Sequence, residues 1–136
     1  MIQVIMGLKG SGKTKRLIDA INNAVASAQG DVVCIEYGSQ LTYDVNYRVR
    51  LVNSKEYEID NLDKLKGLLS GLHAGNFDIT NMYIDNLYKT IGADRASGEA
   101  FIAWCAKFAE ANKMNITITV SDDPAEASEA VKAYLV

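Results

Sequence analysis

Two kinds of apolar run alternate along the chain: short unbroken ones, and longer ones in which apolar residues recur every three or four positions. Ile2, Val4, Ile5 and Met6 make the first short run and predict a strand at about 2–6. Leu17, Ile18, Ile21 and Val25 then share one face of a helix spanning about 13–28. Gly30 and Asp31 close that unit. Val32, Val33, Cys34 and Ile35 form a second unbroken strand, which closes on Glu36-Tyr37-Gly38. Unbroken apolar strands separated by helices predict a parallel sheet covered on both faces.

Residues 38–48 are polar and aromatic and read as a long loop or a small hairpin. Val49, Leu51 and Val52 suggest a short strand. Asp60 or Asn61 can cap a helix that carries Leu62, Leu65, Leu68, Leu69 and Leu72, with Gly71, Gly75 and Asn76 marking its end. Ile79 to Ile84 predicts a strand ending in Asp85. Residues 88–98 read as a loop with some helical turn. A helix from Ser97 or a neighbour turns Phe101, Ile102, Trp104, Cys105 and Phe108 inward. Ile116, Ile118 and Val120 make the last strand, ending at Ser121-Asp122. Asp123-Pro124-Ala125-Glu126 fits a capping box with proline at the first helical position, and Ala127, Ala130, Val131, Tyr134 and Leu135 are the buried face expected of that helix. The order predicts a three-layer α/β/α sandwich on a mostly parallel sheet. With no repeat, low-complexity segment or linker, residues 1–136 read as one domain. In such sheets ligands sit at the carboxyl ends of the strands.

Composition narrows the partners. The 136 residues suffice for a core, and 49% apolar with 23% charged residues is ordinary for a globular chain. The net charge of −3 leaves no broad basic field, which argues against nucleic acid as the main partner. Lys9, Lys13, Lys15 and Arg16 do cluster, at a place with its own explanation. Cys34 and Cys105 have no metal-binding spacing and read as buried thiols of a reducing cytosol. No leader-like start, lipidation signal or run of about 18 apolar residues is present, so the expectation is a soluble, cytoplasmic protein with no membrane partner.

The chemistry centres on Gly7-Leu8-Lys9-Gly10-Ser11-Gly12-Lys13-Thr14, which reads G-x-x-x-x-G-K-T between a strand and a helix. By chance the pattern arises in roughly one chain of this length in two hundred. Glycines let the backbone curl so that several N–H groups point at one anion, and the helix start adds partial positive charge. Lys13 can reach β/γ-phosphate oxygens, and the Thr14 hydroxyl can hold Mg²⁺. The predicted nucleotide-binding residues are Gly7, Leu8, Lys9, Gly10, Ser11, Gly12, Lys13, Thr14 and Lys15. Met82-Tyr83-Ile84-Asp85 is an apolar strand ending in a carboxylate, which can hold a water on the same Mg²⁺. Glu36, closing the second strand, is the candidate base beside Lys13 as catalytic residue, and is otherwise read as a solvated or capping carboxylate. The base role requires its strand to lie beside the Asp85 strand. Ser121 is read first as a strand-end turn residue and second as a γ-phosphate contact. Arg48, Arg50 and Arg95 are each read as surface residues before transition-state donors. Tyr37, Tyr43 and Tyr47 are read as packing residues, His73 as a structural histidine, and Trp104 as core.

These residues resemble the P-loop NTPase superfamily, in its RecA-like and thymidine-kinase-like branch. The whole chain also looks like small stand-alone bacterial ATP-binding proteins of unassigned role, sometimes labelled as twitching-motility ATPases. Retraction ATPases are longer and carry acidic and histidine motifs that this chain lacks. The resemblance implies that the strand after Asp85 lies between the Asp85 strand and the Gly7 strand, with Ser121 beside the phosphates. It also implies a catalytic Glu at the end of the second strand in some members, where Glu36 stands. Two features depart from it: there is no four-cysteine zinc lasso, and Asn86 stands where many ATPases carry Glu. The expectation is therefore a binder of ATP, with GTP open, and Mg²⁺, hydrolysing slowly to ADP and phosphate. A non-hydrolysing regulatory module and a small-molecule kinase are the rival expectations. A protein partner or homo-oligomer is left open.

Overall fold

The alternation of side chains along a strand sorts this chain into two cores. A computed structural model describes residues 1–92 and 94–136. In chain order the elements are β1 (Ile2–Gly7), α1 (Lys13–Ser27), β2 (Asp31–Glu36), β3 (Arg50–Asn53), α2 (Leu62–Gly75), β4 (Ile79–Ile84), α3 (Leu87–Ile91), α4 (Arg95–Asn112), β5 (Asn115–Ser121), a 3₁₀ turn (Pro124–Glu126) and α5 (Glu129–Lys132). The strands form one parallel sheet in the order β1-β5-β4-β2-β3. Helices cover both faces, which makes the three-layer α/β arrangement that the sequence pattern predicts. No helix among the described residues is long and apolar enough to cross a membrane.

Register decides which residues meet. Ile2 lies opposite Ile116, Met82 opposite the same Ile116, and Val33 opposite Met82. Those positions and their alternates, among them Val4, Ile35, Ile84 and Ile118, face one way. They pack against Leu65 and Leu69 of α2 and Phe101, Ile102 and Cys105 of α4. Burying one such side chain contributes about 1.5–3 kcal/mol. The opposite face carries Cys34 and Tyr83, which pack against Leu17, Ile21 and Val25 of α1 and against Leu41, Val45 and Val49.

Leu41 and Val45 come from the 38–48 region, which is a succession of turns and not a hairpin, and Val49 directly follows it. Asn22 of α1 pins it, donating from Nδ2 to the Asp44 carbonyl (3.0 Å) and accepting from the Asn46 N–H (2.9 Å). The apolar residues turn inward, which throws Tyr43 and Tyr47 outward at 96% and 93% exposure. Packing roles for these two tyrosines are thereby corrected. Asn61, not Asp60, caps α2, accepting from the Lys64 N–H at 2.8 Å. Asp94 caps α4, so that helix starts at Arg95, ahead of Ser97. Within the 88–98 connection, position 93 lies outside the described residues.

The helix expected from Pro124 onward is also corrected. Asp123 caps only a 3₁₀ turn, because Ala127 is extended (φ −66°, ψ 142°). Ser128 then caps α5 afresh, with its own N–H donating to Glu99 Oε2 at 3.0 Å. Ala127 and Val131 are buried, whereas Ala130 is exposed. Beyond α5 the chain runs along the outer edge of β1. Val4 N–H donates to the Tyr134 carbonyl (2.9 Å), and Val136 N–H donates to the Val4 carbonyl (3.1 Å).

Candidate functional site

β1 ends at Gly7 and α1 begins at Lys13, so the glycine-rich stretch forms a tight strand-to-helix loop. Gly10 and Gly12 have φ of 83° and 86°, a left-handed conformation that costs an L side chain roughly 1–2 kcal/mol. At Gly7 a Cβ would collide with the Ser11 side chain. Ser11 N–H donates to the Leu8 carbonyl at 3.1 Å, and Lys13 Nζ folds back onto the same carbonyl at 3.1 Å. Leu8 and Lys9 are exposed at the tip, as is Thr14 in the first turn of α1. That turn has no acidic residue and no side-chain cap, so its N–H groups face outward unclaimed by side chains. Gly10, Gly12, Lys13, Thr14 and Lys15 line a hollow of about 340 Å³. Amides unclaimed by side chains at a helix start beside a hollow suit a tetrahedral oxyanion, while the two lysines that line it turn their ammonium groups to the Leu8 carbonyl (Lys13) and to Asp19 at 3.4 Å (Lys15).

The sheet brings the remaining candidates to this end. β5 lies between β1 and β4, and Gly7 is in register with Ser121. The Asp122 N–H donates to the Gly7 carbonyl at 3.1 Å. Asp85 directly follows β4, with its N–H donating to the Ile35 carbonyl of β2 (2.9 Å). Pairing of β2 with β4 sets Glu36 near Asp85, as a joint role for the two carboxylates requires.

A third residue, Thr119, holds Asp85. Its hydroxyl donates to Asp85 Oδ1 at 2.7 Å and accepts from the Asn86 N–H at 2.6 Å. Thr119 is buried. Asn86 stands in the left-handed region (φ 55°) and opens α3, where Thr90 Oγ1 donates to the Asp85 carbonyl at 3.4 Å. Sequence reading missed Thr119. The alternation Ile116-Thr117-Ile118-Thr119-Val120-Ser121 does mark one side of β5 as polar, but nothing in it names Asp85 as the partner.

Glu36 is 3% exposed, and its Oε1 accepts from the N–H groups of Gln40 (2.9 Å) and Leu41 (3.2 Å). Burial raises its carboxyl above the ordinary 4.5; the two N–H groups pull it down, and the Asp85 charge pushes it further up. Glu36 thus anchors the 38–48 turns, and among the described residues its second oxygen has no protein partner. Beneath it, burial first, and then Asp85 and Glu36, keep Cys34 a neutral thiol. Burial does the same for Cys105. Both cysteines are free and buried, as the sequence predicts.

The other singled-out residues separate from this cluster. Arg95 grips Asp122 with two prongs, Nε to Oδ2 at 2.7 Å and Nη2 to Oδ1 at 2.8 Å, and reaches Glu126 at 3.5 Å. Its guanidinium is therefore engaged beside the loop. Arg48 and Arg50 are exposed. His73 meets Phe77 and Phe108 edge-on, and Trp104 stacks half-buried between Phe101 and Phe108. Among the described residues no three His, Cys, Asp or Glu side chains converge to hold a metal. Thr14 and Asp85 are oxygen donors. Oxygen donors are the ligand type that Mg²⁺ takes, alongside several waters and substrate phosphates. No family model matches the sequence, and no curated protein does either.

Proposed function

We propose that the chain is a P-loop nucleotide-binding protein that holds ATP, or GTP, with Mg²⁺ and hydrolyses it slowly. The observation that carries this reading is the conformation of Gly7–Thr14: left-handed glycines and an uncapped helix start beside a hollow that Lys13 and Lys15 line. The strand order supports it, because β5 stands between the loop strand and the Asp85 strand, as the resemblance implies. In this reading Gly7–Lys15 bind the phosphates. Lys13 swings from the Leu8 carbonyl to the β/γ oxygens and stabilises charge there. Thr14 and Asp85 are the residues that would hold Mg²⁺, which supplies charge neutralisation at those oxygens when bound. Glu36 orients water through its free oxygen. Slow turnover follows from Asn86, which cannot act as a base, and from the tie of Glu36 to Gln40 and Leu41.

Calorimetric titration with ATP and GTP, with and without Mg²⁺, tests the reading. Binding should strengthen with Mg²⁺, and Lys13→Ala should weaken it by about tenfold or more, the worth of one charge-assisted hydrogen bond. No binding at millimolar nucleotide would overturn it. One observation favours a second reading, a module whose nucleotide sets the 38–48 turns: Glu36 bonds those turns directly, and they display Tyr43 and Tyr47 to solvent. Tight nucleotide retention with no ADP formed would select that reading over hydrolysis.

A further inference from the structure

A second hollow, of about 480 Å³, opens at the carboxyl ends of β2, β3 and β4. It lies between the start of α2 and α3, on the side of the sheet away from α1. Three strand spacings of roughly 4.8 Å, about 14 Å in all, separate β2 from β1 and its loop. The volume is that of a small-molecule site.

Its charges are unevenly matched: Lys55, Lys64 and Lys89 stand against two carboxylates, Glu58 and Asp60. Lys64 is paired with Asp60 at 2.9 Å. Lys55 and Lys89 also line the hollow, and neither is in an ion pair among the described residues. Instead both ammonium groups lie over one ring, that of Tyr37, at 5.8 and 5.5 Å from its centre. A tyrosine face attracts a cation, but two cations drawn to one ring repel each other. An anion between them removes that repulsion and gains two charge-assisted hydrogen bonds. Ile59 and Ile91 add apolar wall for the body of an organic molecule.

The backbone at one point of the wall is held in a costly conformation. Among the described residues three other than glycine have left-handed φ, and one of them, Glu58, stands on the wall of this hollow. Such conformations persist where the surroundings enforce them, and they cluster at ligand sites.

We propose that this hollow binds a small anion-bearing molecule, a phosphate ester or a carboxylate, whose oxyanion sits on Lys55 and Lys89 and whose body lies against Tyr37, Ile59 and Ile91. The site is separate from the Gly7–Thr14 loop and does not depend on what the loop holds.

Amide-resolved NMR titration of the chain with inorganic phosphate, and in a second arm with citrate, tests this. Shifts at Lys55, Lys89 and Gly92 are expected with at least one probe, and the probe that binds more tightly identifies the oxyanion. Lys13→Ala should leave these shifts intact while removing those at Gly10 and Gly12. The Lys55→Ala/Lys89→Ala double variant should weaken binding at the hollow by about tenfold or more. Lys107→Ala, an exposed lysine on α4, should have no effect. Absence of shifts with both probes, their loss in Lys13→Ala, an unaltered double variant, or an equal loss in Lys107→Ala would each overturn the proposal.

Discussion

Thr119→Val removes one hydroxyl from the sheet and keeps the shape of the side chain. That hydroxyl serves two partners, Asp85 Oδ1 at 2.7 Å and the Asn86 N–H at 2.6 Å. A hydrogen bond to a charged group contributes about 1.5–3 kcal/mol, and a buried N–H left without a partner costs about 1–3 kcal/mol. Asp85 and Asn86 are half-buried, so water recovers part of both. The net loss works out at about 3 kcal/mol. Thr119→Ser keeps both bonds and removes one buried methyl, a loss of about 1 kcal/mol. With a urea dependence of about 1.5 kcal/mol per molar, the valine variant should unfold about 2 M earlier than the parent and the serine variant less than 1 M earlier. Equilibrium urea unfolding of the three chains reads this gap. Valine and serine variants within about 0.5 kcal/mol of each other would refute the role given to Thr119.

Glu36→Gln keeps an oxygen for Gln40 and Leu41 but removes a carboxyl that burial raises above 4.5. Between the ordinary value and the raised one, the folded parent holds a proton there that the unfolded chain has released. That stabilisation is full below the ordinary value and is lost as pH rises through the raised one. Unfolding between about pH 4 and 7 should show the parent losing stability relative to the variant as pH increases, and parallel curves would contradict this. Arg95→Lys cannot present two prongs to Asp122, whose carboxyl the guanidinium holds below 3.8. The variant should be less stable at neutral pH, and the deficit should close as pH falls through that depressed value; a deficit independent of pH would be against it. Gly30→Ala drives a Cβ into the Asp78 carbonyl and to 2.7 Å from Thr80 Cγ2. Backbone cannot turn away as a rotamer can, so about 1–3 kcal/mol and several degrees of Tm should be lost, whereas an unchanged Tm would show that the strand ends give way.

The parts of the fold legible in the sequence are those governed by near neighbours. Ile79–Ile84 is an apolar run bounded by turn residues, and its limits follow from that alone. β1, the glycine loop and α1 are contiguous, so their pattern and their geometry coincide. Pro124 misled because a good cap and a proline start a helix without ensuring that it continues; the bond from Ser128 to Glu99 belongs to another element. Tyr43 and Tyr47 misled because aromatic residues usually pack, and here the inward positions go to Leu41, Val45 and Val49. Within the candidate site, the loop is written locally, whereas the tie of Asp85 to Thr119 joins residues 34 apart and only strand order brings them together.

The place of β1 has a consequence for how the chain is made. Among the described residues its long partner in the sheet is β5, so Ile2 waits for Ile116. A ribosome that has released the glycine loop must go on through β5 before that loop has a fixed floor. Closing so long a loop comes late and slowly, because its entropy is lost before any contact rewards it. Nascent chains truncated before residue 115 should therefore lack an ordered Gly7–Thr14 turn, although they contain every residue of it. The glycine loop is thus translated well before the strand that fixes its shape.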